Sequence, residues 1–462
     1  MARRISVIGT GYLGVSHAVG MAVLGHEVIG RDVDRDRIAA LSQGRIPFYE
    51  PGLESLLREQ LATGRLSFTT SLAEVAEFAD VHFVCVGTPQ RANSFAADTS
   101  FVEVAVETLA RYLRRPSLVV GKSTVPVGTA DRLAERLAIL SPVGHNAELA
   151  WNPEFLREGF AIKDTLTPER LVFGVRSDAA LDTLCAVYLP LIEAGTPVVA
   201  TDFPTAELVK VAANAFLATK ISFINAMAEV CEAAGGDVGA LATALAHDSR
   251  IGSHFLAPGL GFGGGCLPKD IRAFIARADE IGAGRALTFL KEVDAINARR
   301  RHRTVAVARE LCGGSLRGRK VAIWGAAFKP NSDDIRDSPA LDVAEAIRKE
   351  GGHVVVHDPK ATDNARLRFP ALDYAPSALD AAAGADLVLH LTEWPEFREL
   401  EPHLVAAVVG ARRILDARGG LDAAAWRGAG WTYRALGQAS PSTVPAKLVE
   451  PAPVRLADRP PC

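Results

Sequence analysis

The chain has 462 residues, of which 48 % are hydrophobic and 23 % are charged, the proportions of an ordinary globular protein. Its 51 basic and 54 acidic side chains leave a net charge of −3, which gives no reason to expect binding to nucleic acid or to a membrane through bulk charge. The length predicts roughly two to four domains and excludes disorder, collagen or coiled coil as a description of the whole chain.

The start of the chain and its cysteines indicate a cellular compartment. The apolar run near the N-terminus ends at Gly9, too early for a secretion signal or a membrane span. The six cysteines are widely spaced, form no CxxC pair and do not cluster with histidines, so we predict free thiols and no metal site. We expect a cytoplasmic protein.

Short apolar runs alternate with helical patterns in the first region of the chain. Residues 4–8 predict a strand, and residues 12–25 and 102–113 predict helices. Further apolar runs of strand length occupy 26–34, 81–89 and 117–125, and 148–155 closes the region. This alternation predicts a parallel, doubly wound sheet.

The rest of the chain contains a helical middle and a second alternating region. Residues 206–234 predict one long helix, and more helical pattern follows at 267–311. Four apolar runs at α/β spacing begin near Leu316, and the Pro-rich end predicts a disordered tail. The predicted class is α/β, with two Rossmann-like doubly wound domains joined by a long central helix and a helical connector. The predicted divisions are 1–203, 204–312, 313–437 and the tail 438–462.

A GxGxxG pattern follows the first strand and opens a helix; its glycines are Gly9, Gly11 and Gly14. In this setting the glycines permit a tight turn, close approach of a pyrophosphate and close packing of helix on strand. Asp32 then stands where an acid holds the ribose 2′-hydroxyl, which favours NAD over NADP. Arg31 and Arg35 weaken that preference, because an arginine can accommodate a 2′-phosphate.

The segment APGLGFGGGCLPKD (257–270) places five glycines before Cys266. Such a run lets the backbone come very close to another group. Pro268 suits the first turn of a helix, so Cys266 would lie at a helix N-terminus, where the dipole lowers the pKa of a thiol. Asp270 would share its face and could act as a base, although its charge opposes thiolate formation. We predict a nucleophile rather than a small buried cysteine.

Three polar residues, Lys210, Asn214 and Asn225, interrupt the apolar helix at 206–234. Their spacing places them along one face. Because burying an ammonium and two amides without partners is costly, we expect Lys210 and Asn214 to line a site rather than a solvated face. An ammonium beside the thiol could stabilise a developing oxyanion.

Nine motifs follow one another along the chain: GTGYLG, PFYEPGL, GTP, KSTVPVGT, NPEFLREG, ELVKVAANAF, SRIG, GFGGGCLPKD and FKPNSDDIRDSPA. Together they resemble the UDP-glucose 6-dehydrogenase family, within the wider nucleotide-sugar dehydrogenases. The resemblance covers about residues 3–435.

The resemblance implies a four-electron oxidation of UDP-glucose to UDP-glucuronate that uses NAD twice. A cysteine thiohemiacetal and then a thioester would form on Cys266. By motif match, Lys210 would stabilise the oxyanion, Thr124 and Asp270 would hold the catalytic water, and Glu154 would act as acid and base in the thioester step. Asn214 completes the catalytic set. The implied cofactor contacts are Gly9, Gly11, Tyr12, Leu13, Gly14, Asp32, Thr88, Thr124, Glu158 and Arg336.

The same matching implies contacts with the nucleotide sugar. They are Glu154, Phe155, Leu156, Lys210, Asn214, Phe255, Gly263, Phe328, Lys329, Arg418 and Arg250, the last reaching across a dimer interface. The apolar central helix predicts a homodimer. Three other readings remain open: the same chemistry on GDP-mannose or a UDP-N-acetylhexosamine, a two-electron dehydrogenase, and a non-catalytic NAD sensor.

Overall fold

The computed structural model describes residues 2–438, which form two parallel-sheet units with a helical region between them. The predicted fold class is confirmed. Most of the predicted tail, residues 439–462, lies outside the described residues. Gln438 is described, and it pairs with Asp237 as an isolated bridge. The five cysteines within residues 2–438 are free thiols.

The first unit is an eight-stranded sheet in the order β3-β2-β1-β4-β5-β6-β7-β8, parallel except between β6 and β7. Its strands are β1 Arg4–Ile8, β2 Glu27–Arg31, β3 Leu66–Thr69, β4 Val81–Val84, β5 Ser117–Gly121, β6 Ala147–Trp151, β7 Leu171–Gly174 and β8 Val198–Thr201. Its helices are α1 Tyr12–Val23, α2 Arg35–Ser42, α3 Leu53–Ala62, α4 Leu72–Phe78, α5 Ser100–Ala110, α6 Thr129–Leu140, α7 Ala161–Leu166, α8 Asp178–Val187 and α9 Leu189–Glu193, with a 3₁₀ turn at Gly144–Asn146.

The strands of this sheet are apolar because helices cover both faces. All residues of β4 and β5 are buried, which explains their continuous apolar runs. The strand order reverses between β1 and β4, and the carboxyl ends at such a switch point form a ligand crevice.

The middle region consists of helices and contains no strand within residues 204–312. The helices are α10 Phe203–Ala234, α11 Val238–Ala246, α12 Leu267–Glu280 and α13 Thr288–Leu311, with a 3₁₀ turn at Gly284–Leu287. Asp202 caps α10 by accepting from Thr205 N at 2.8 Å, and Gly235 ends it at φ 80°. Within the described residues, α10 is also the one helix long and apolar enough to cross a membrane, but here it packs against α12 and α13.

The last unit is a six-stranded parallel sheet in the order β11-β10-β9-β12-β13-β14. Its strands are β9 Lys320–Trp324, β10 His353–His357, β11 Asp373–Tyr374, β12 Leu387–His390, β13 Arg413–Asp416 and β14 Thr432–Ala435. Its helices are α14 Pro339–Lys349, α15 Thr362–Arg368, α16 Ala378–Ala382, α17 Pro395–Arg398, α18 Pro402–Ala406 and α19 Ala423–Gly428. The order repeats that of the first six strands of the first unit.

Candidate functional site

Cys266 lies at the N-terminal cap of α12, where the sequence placed it. The backbone N–H of Asp270 donates to the carbonyl of Cys266 at 2.9 Å, so the carboxyl group lies one turn along the same helix. The loop before Cys266 lies against the C-terminal unit, since a Cβ on Gly259 would lie 2.9 Å from the carbonyl oxygen of Ala417.

The glycines of this loop are required by contact with neighbouring groups. Gly264 has φ 85°, and a Cβ there would lie 2.8 Å from the ring of Phe328. A Cβ on Gly263 would lie 2.3 Å from the carbonyl oxygen of Asp337. Two asparagines hold the loop from the helices, since Gly259 N donates to Asn225 of α10 and Phe262 N donates to Asn297 of α13, each at 2.8 Å.

Lys210 on α10 is buried and forms an ion pair with Glu154, with Nζ and Oε1 3.0 Å apart. The second carboxylate oxygen of Glu154 accepts from the backbone N–H of Leu156 at 2.8 Å. Burial lowers the pKa of Lys210, but the neighbouring acidic groups, first Glu154 and then Cys266 and Asp270, more than offset this and the pKa is raised. The ammonium is thus held in its charged form beside the thiol.

Asn214 lies one turn after Lys210 and donates to Asp270 Oδ2 at 2.7 Å. Lys269 Nζ is 2.6 Å from the other oxygen of Asp270. These contacts join α10 to α12 and fix a buried carboxylate close to the sulfur. Lys210 and Asn214 are thus buried with charged partners rather than solvated, and their role in a site stays a prediction.

The prediction that the helix dipole would favour a thiolate is wrong for Cys266. Its side chain is accessible to solvent, but the surrounding protein removes much of the water that a thiolate would need. This desolvation, together with the charges of Glu154 and Asp270, raises the pKa of the thiol to about 12 despite the opposing effect of Lys210. The thiol is protonated at neutral pH in the free protein.

Thr124 lies in the loop between β5 and α6 and faces a small cavity of about 20 Å³. Asp270 and Lys269 line the same cavity. The rest of its lining is mostly apolar, and Cys266 is not part of it. Thr88 donates to the carbonyl of Thr124 at 2.8 Å and links this loop to the end of β4.

The crevice at the end of β1 fits a dinucleotide. Gly9 has φ 91°, and a Cβ on Gly14 would lie 1.7 Å from the carbonyl oxygen of Gly9, so neither position tolerates a side chain. A Cβ on Gly11 would meet nothing within 4 Å, which leaves the start of α1 open to a pyrophosphate. The backbone N–H groups of Tyr12 and Leu13 belong to this first turn.

Asp32 lies at the end of β2, beside the crevice. Its carboxylate accepts from Thr10 N at 2.8 Å and from Arg37 at 3.0 Å. Burial raises the pKa of this carboxyl, but the hydrogen bonds from Thr10 and Asp34 and the charge of Arg37 lower it overall. The charged carboxylate is the form that accepts a ribose hydroxyl. Arg31, in contrast, donates to the carbonyl of Thr70 at 3.3 Å.

Glu158 and Arg336 connect the first unit to the last. Arg336 lies 3.1 Å from Glu158, and Ser332 donates to Glu158 at 3.0 Å. A Cβ on Gly265 would lie 2.3 Å from the Arg336 guanidinium, which places that group next to Cys266. Burial and the charge of Asp334 raise the pKa of Glu158 to about 7.

Most of the residues assigned to the nucleotide sugar lie near Lys210 or at the loop before Cys266. Phe155 stacks under Arg170 and near Lys210, and Phe328 and Lys329 lie at the cysteine loop, where burial lowers the pKa of Lys329. Arg418 also reaches this loop, donating to Gly261 O at 3.0 Å.

The other two assigned residues lie on the loop after α11. Phe255 is partly exposed at φ 61°. Arg250 is largely exposed and pairs with Asp248 at 2.6 Å.

Two polar residues near this site were missed from the sequence. Glu50 accepts from Gly159 N at 2.6 Å, from Ala161 N at 2.8 Å and from the Tyr12 hydroxyl, and so joins the dinucleotide turn to the loop of Glu158. Lys122 donates to Asn152 at 2.8 Å, directly before the loop of Glu154, and burial lowers its pKa to about 8. Glu50 belongs to the motif PFYEPGL and Lys122 to the motif KSTVPVGT, and membership in these motifs is the sequence feature that could have identified them.

Comparison with known proteins places the chain in one family. Models of the UDP-glucose/GDP-mannose dehydrogenase family match residues 3–192 (NAD binding domain), 204–299 (central domain) and 322–423 (UDP binding domain).

Individual relatives agree with these models. The UDP-glucose 6-dehydrogenase of Haloferax volcanii is 42 % identical over 430 residues, covering 90 % of this chain and 98 % of the relative. The structure of a UDP-glucose dehydrogenase from Pyrobaculum islandicum has a TM-score of 0.87 at 38 % identity, covering 95 % and 98 % of the two chains. That of a UDP-D-ManNAc dehydrogenase from Pyrococcus horikoshii has a TM-score of 0.81 at 27 % identity, covering 94 % and 99 %. The chain therefore belongs to the UDP-glucose/GDP-mannose dehydrogenase family, and it is an NAD-dependent oxidoreductase.

Proposed function

We propose that this protein oxidises UDP-glucose to UDP-glucuronate in two successive steps, with a covalent bond to Cys266 between them. The observation that carries this proposal is the set of charged groups around Cys266, namely Glu154, Asp270 and Lys210, in a protein whose first unit has a crevice that fits a dinucleotide. NAD, when bound, supplies the hydride acceptor for each step.

Lys210 is the proposed hydrogen-bond donor to the oxygen on C6 of the sugar. Its buried ammonium stays charged and can donate a hydrogen bond to the alcohol, to the aldehyde and to the oxyanion that follows. Glu154, paired with this ammonium at 3.0 Å, is placed to take up and return protons at the same oxygen. Its second oxygen is fixed by Leu156, so the carboxylate has one orientation.

Cys266 captures the aldehyde before it can leave. Because the thiol is protonated in the free protein, its proton must pass to a neighbouring carboxylate as the carbon–sulfur bond forms. The product is a thiohemiacetal, and loss of a second hydride converts it to a thioester. The sulfur thus becomes nucleophilic only when the aldehyde is present to react with it.

Hydrolysis of the thioester needs a water molecule with a fixed place. Thr124 and Asp270 line one small cavity, and Asp270 is held by Asn214 and Lys269, so these two side chains are the pair that we propose to hold it. The water adds to the thioester carbonyl while Asp270 accepts its proton, and the sulfur leaves. UDP-glucuronate and the free thiol are released.

UDP-glucose is a better candidate than GDP-mannose or a UDP-N-acetylhexosamine. The relatives named for UDP-glucose are more similar to this chain than the structure named for UDP-D-ManNAc. The last domain matches a UDP binding model, which favours a uridine nucleotide. Within this proposal residues 1–203 hold NAD, 204–312 pair two subunits and 313–437 hold UDP.

A homodimer through α10 is part of the proposal. Phe216, Phe223 and Val230 lie seven residues apart on that helix and are 66 %, 49 % and 56 % exposed. Such an apolar stripe on one face is typical of a protein interface. A cytoplasmic location and the lack of nucleic-acid or membrane partners stay predictions from the sequence.

The deciding experiment is the stoichiometry of the reaction. Purified protein is given a limiting amount of UDP-glucose with excess NAD, and both NADH and the sugar products are measured. We expect two NADH for each UDP-glucose and one UDP-glucuronate. One NADH with release of an aldehyde would support a two-electron dehydrogenase instead, and no NADH would support a sensor. A preference above about a hundredfold for an acetamido sugar or GDP-mannose would overturn the choice of glucose.

A further inference from the structure

Glu207 is a buried carboxylate on α10 to which the proposed chemistry gives no role. It is 2 % exposed and lies three residues before Lys210, about one helical turn. Its two oxygens accept from Gly128 N and Ala130 N, each at 2.7 Å. These are orphan N–H groups at the start of α6, so the side chain of one helix caps another.

The loop that leads into α6 is the loop that carries Thr124. Glu207 of α10 holds its far end, and Arg277 of α12 donates to Val127 O at 2.9 Å. The helices that present Lys210 and Asp270 therefore also hold the loop from which Thr124 reaches the shared cavity. Of the two attachments, that of Glu207 is the more buried.

We propose that Glu207 is a positioning residue for thioester hydrolysis, because it fixes the distance between Thr124 and Asp270 and so the place of the attacking water. This inference rests on the proposed function. In the step concerned, the water oxygen bonds to C6, one water proton passes to Asp270, the carbon–sulfur bond breaks and the sulfur leaves as a thiolate that is then reprotonated. The preceding hydride steps do not use this water.

The test compares Glu207→Gln with Glu207→Asp and with Asp202→Ala as a matched control. Glutamine keeps the size of the side chain, but it cannot accept from both N–H groups. Aspartate keeps the charge with a shorter reach. Asp202 caps the start of the same helix without touching α6, so its loss tests a general weakening of α10. Thermal unfolding of each variant is measured alongside.

The decisive readout is the fraction of enzyme that carries the UDP-sugar thioester during turnover, measured by rapid acid quench and intact-protein mass. For Glu207→Gln we expect steady-state NADH formation to fall about 10- to 100-fold, the KM for UDP-glucose to change little, and the acylated fraction to rise. Glu207→Asp should show a smaller effect in the same direction, and Asp202→Ala should show none.

A fall in NADH formation with no rise in acylated enzyme, or equal effects in Glu207→Gln and Asp202→Ala, would overturn the inference. Hydrogen exchange at the amides of Gly128 and Ala130 gives a second measurement that is independent of catalysis. Faster exchange in Glu207→Gln supports the attachment, and unchanged exchange refutes it. Absence of NADH formation by the unmodified enzyme would instead refute the proposed function, and the exchange result would still decide the role of Glu207 in holding the loop.

Discussion

Asn214 donates a 2.7 Å hydrogen bond to Asp270, and this contact joins the central helix to the helix that begins at Cys266. The pair is buried, and Lys269 holds the other oxygen of the carboxylate. The carboxylate therefore has one orientation before any substrate arrives. This kind of preorganisation reduces the rearrangement that a proton transfer would otherwise need.

Replacing Asp270 by Asn should slow hydrolysis more than oxidation, because the amide cannot take a proton from water. We expect NADH formation to stop after the first turnover and the thioester mass to accumulate, with steady-state turnover reduced by at least about a hundredfold. Rapid-quench mass analysis checks this. If free enzyme instead of the adduct predominates, Asp270 does not act in hydrolysis.

Replacing Cys266 by Ser should lower steady-state NADH formation by more than about a thousandfold, because a serine hydroxyl gives its proton to a neighbouring carboxylate far less readily than a thiol and is the poorer nucleophile. Binding of UDP-glucose, measured by calorimetry, should persist. Cys185→Ser is the control, since that residue lies in α8 away from the site and should keep full activity. Full NADH production by the Cys266 variant would refute the covalent mechanism.

Adding one methyl group at Gly264 should damage the site, because its Cβ would lie 2.8 Å from the ring of Phe328 at a φ of 85°. Gly384 also has positive φ, 66°, but a Cβ there meets nothing within 4 Å. Both Ala variants carry backbone strain of about 1 kcal/mol, and only Gly264→Ala adds a clash. We expect a large rise in the KM for UDP-glucose only for that variant. Equal kinetics in the two would contradict this account.

The buried Glu207 should make stability depend on pH. Burial raises its pKa from 4.5 to about 7, although the N–H groups of Ala130 and Gly128 oppose this effect and Asp131 adds to it. The folded protein thus holds this proton more tightly than the unfolded chain, and unfolding releases it between these values. Raising the pH from about 5 to 8 should therefore lower the free energy of unfolding of the native protein relative to Glu207→Gln.

Urea unfolding of both proteins across this pH range measures the difference. Glu158, whose pKa is also raised to about 7, is present in both proteins and cancels in the comparison. A difference that is flat with pH, or that grows in favour of the native protein at high pH, would contradict the raised pKa of Glu207.

Charges on the exposed face of α10 should prevent self-association. Phe216→Glu and Phe223→Glu together would place two carboxylates in the proposed interface without disturbing the buried face of the helix. We expect the native protein to sediment as a dimer and the double variant as a monomer. Leu367→Glu, at an 84 % exposed residue of α15, is the control and should leave the dimer intact.

Sequence patterns predicted most of the buried strands of the first unit, but they missed β7, whose four residues are all buried. The strands β1, β4 and β5 are mostly apolar because helices cover both faces, although Ser6 and His82 are buried within them. The edge strand β8 was not predicted, since its residues are half-buried or exposed and carry no such signal. The same reasoning located the polar face of α10, where a buried lysine is conspicuous in an apolar helix.

The missed residues depend on contacts between distant parts of the chain. Glu207 and Glu50 are ordinary acids in sequence, and only the fold brings their carboxylates to backbone N–H groups 77 to 111 residues away. The prediction of a lowered pKa for Cys266 was wrong for the same reason. The helix N-terminus is visible in the sequence, but the two carboxylates and the loss of water around the sulfur come from tertiary packing.

The central helix α10 is a single rod of 32 residues, about 48 Å long. One side of it carries the four polar residues that contact the α6 loop, Glu154, Asp270 and the cysteine loop: Glu207, Lys210, Asn214 and Asn225. The other side presents Phe216, Phe223 and Val230 to solvent. A small rotation of this rod would displace all of these groups at once. Pairing of two subunits along this helix would thus set the alignment of the reacting groups in both subunits. The precision of that alignment would then depend on how rigid this one helix is.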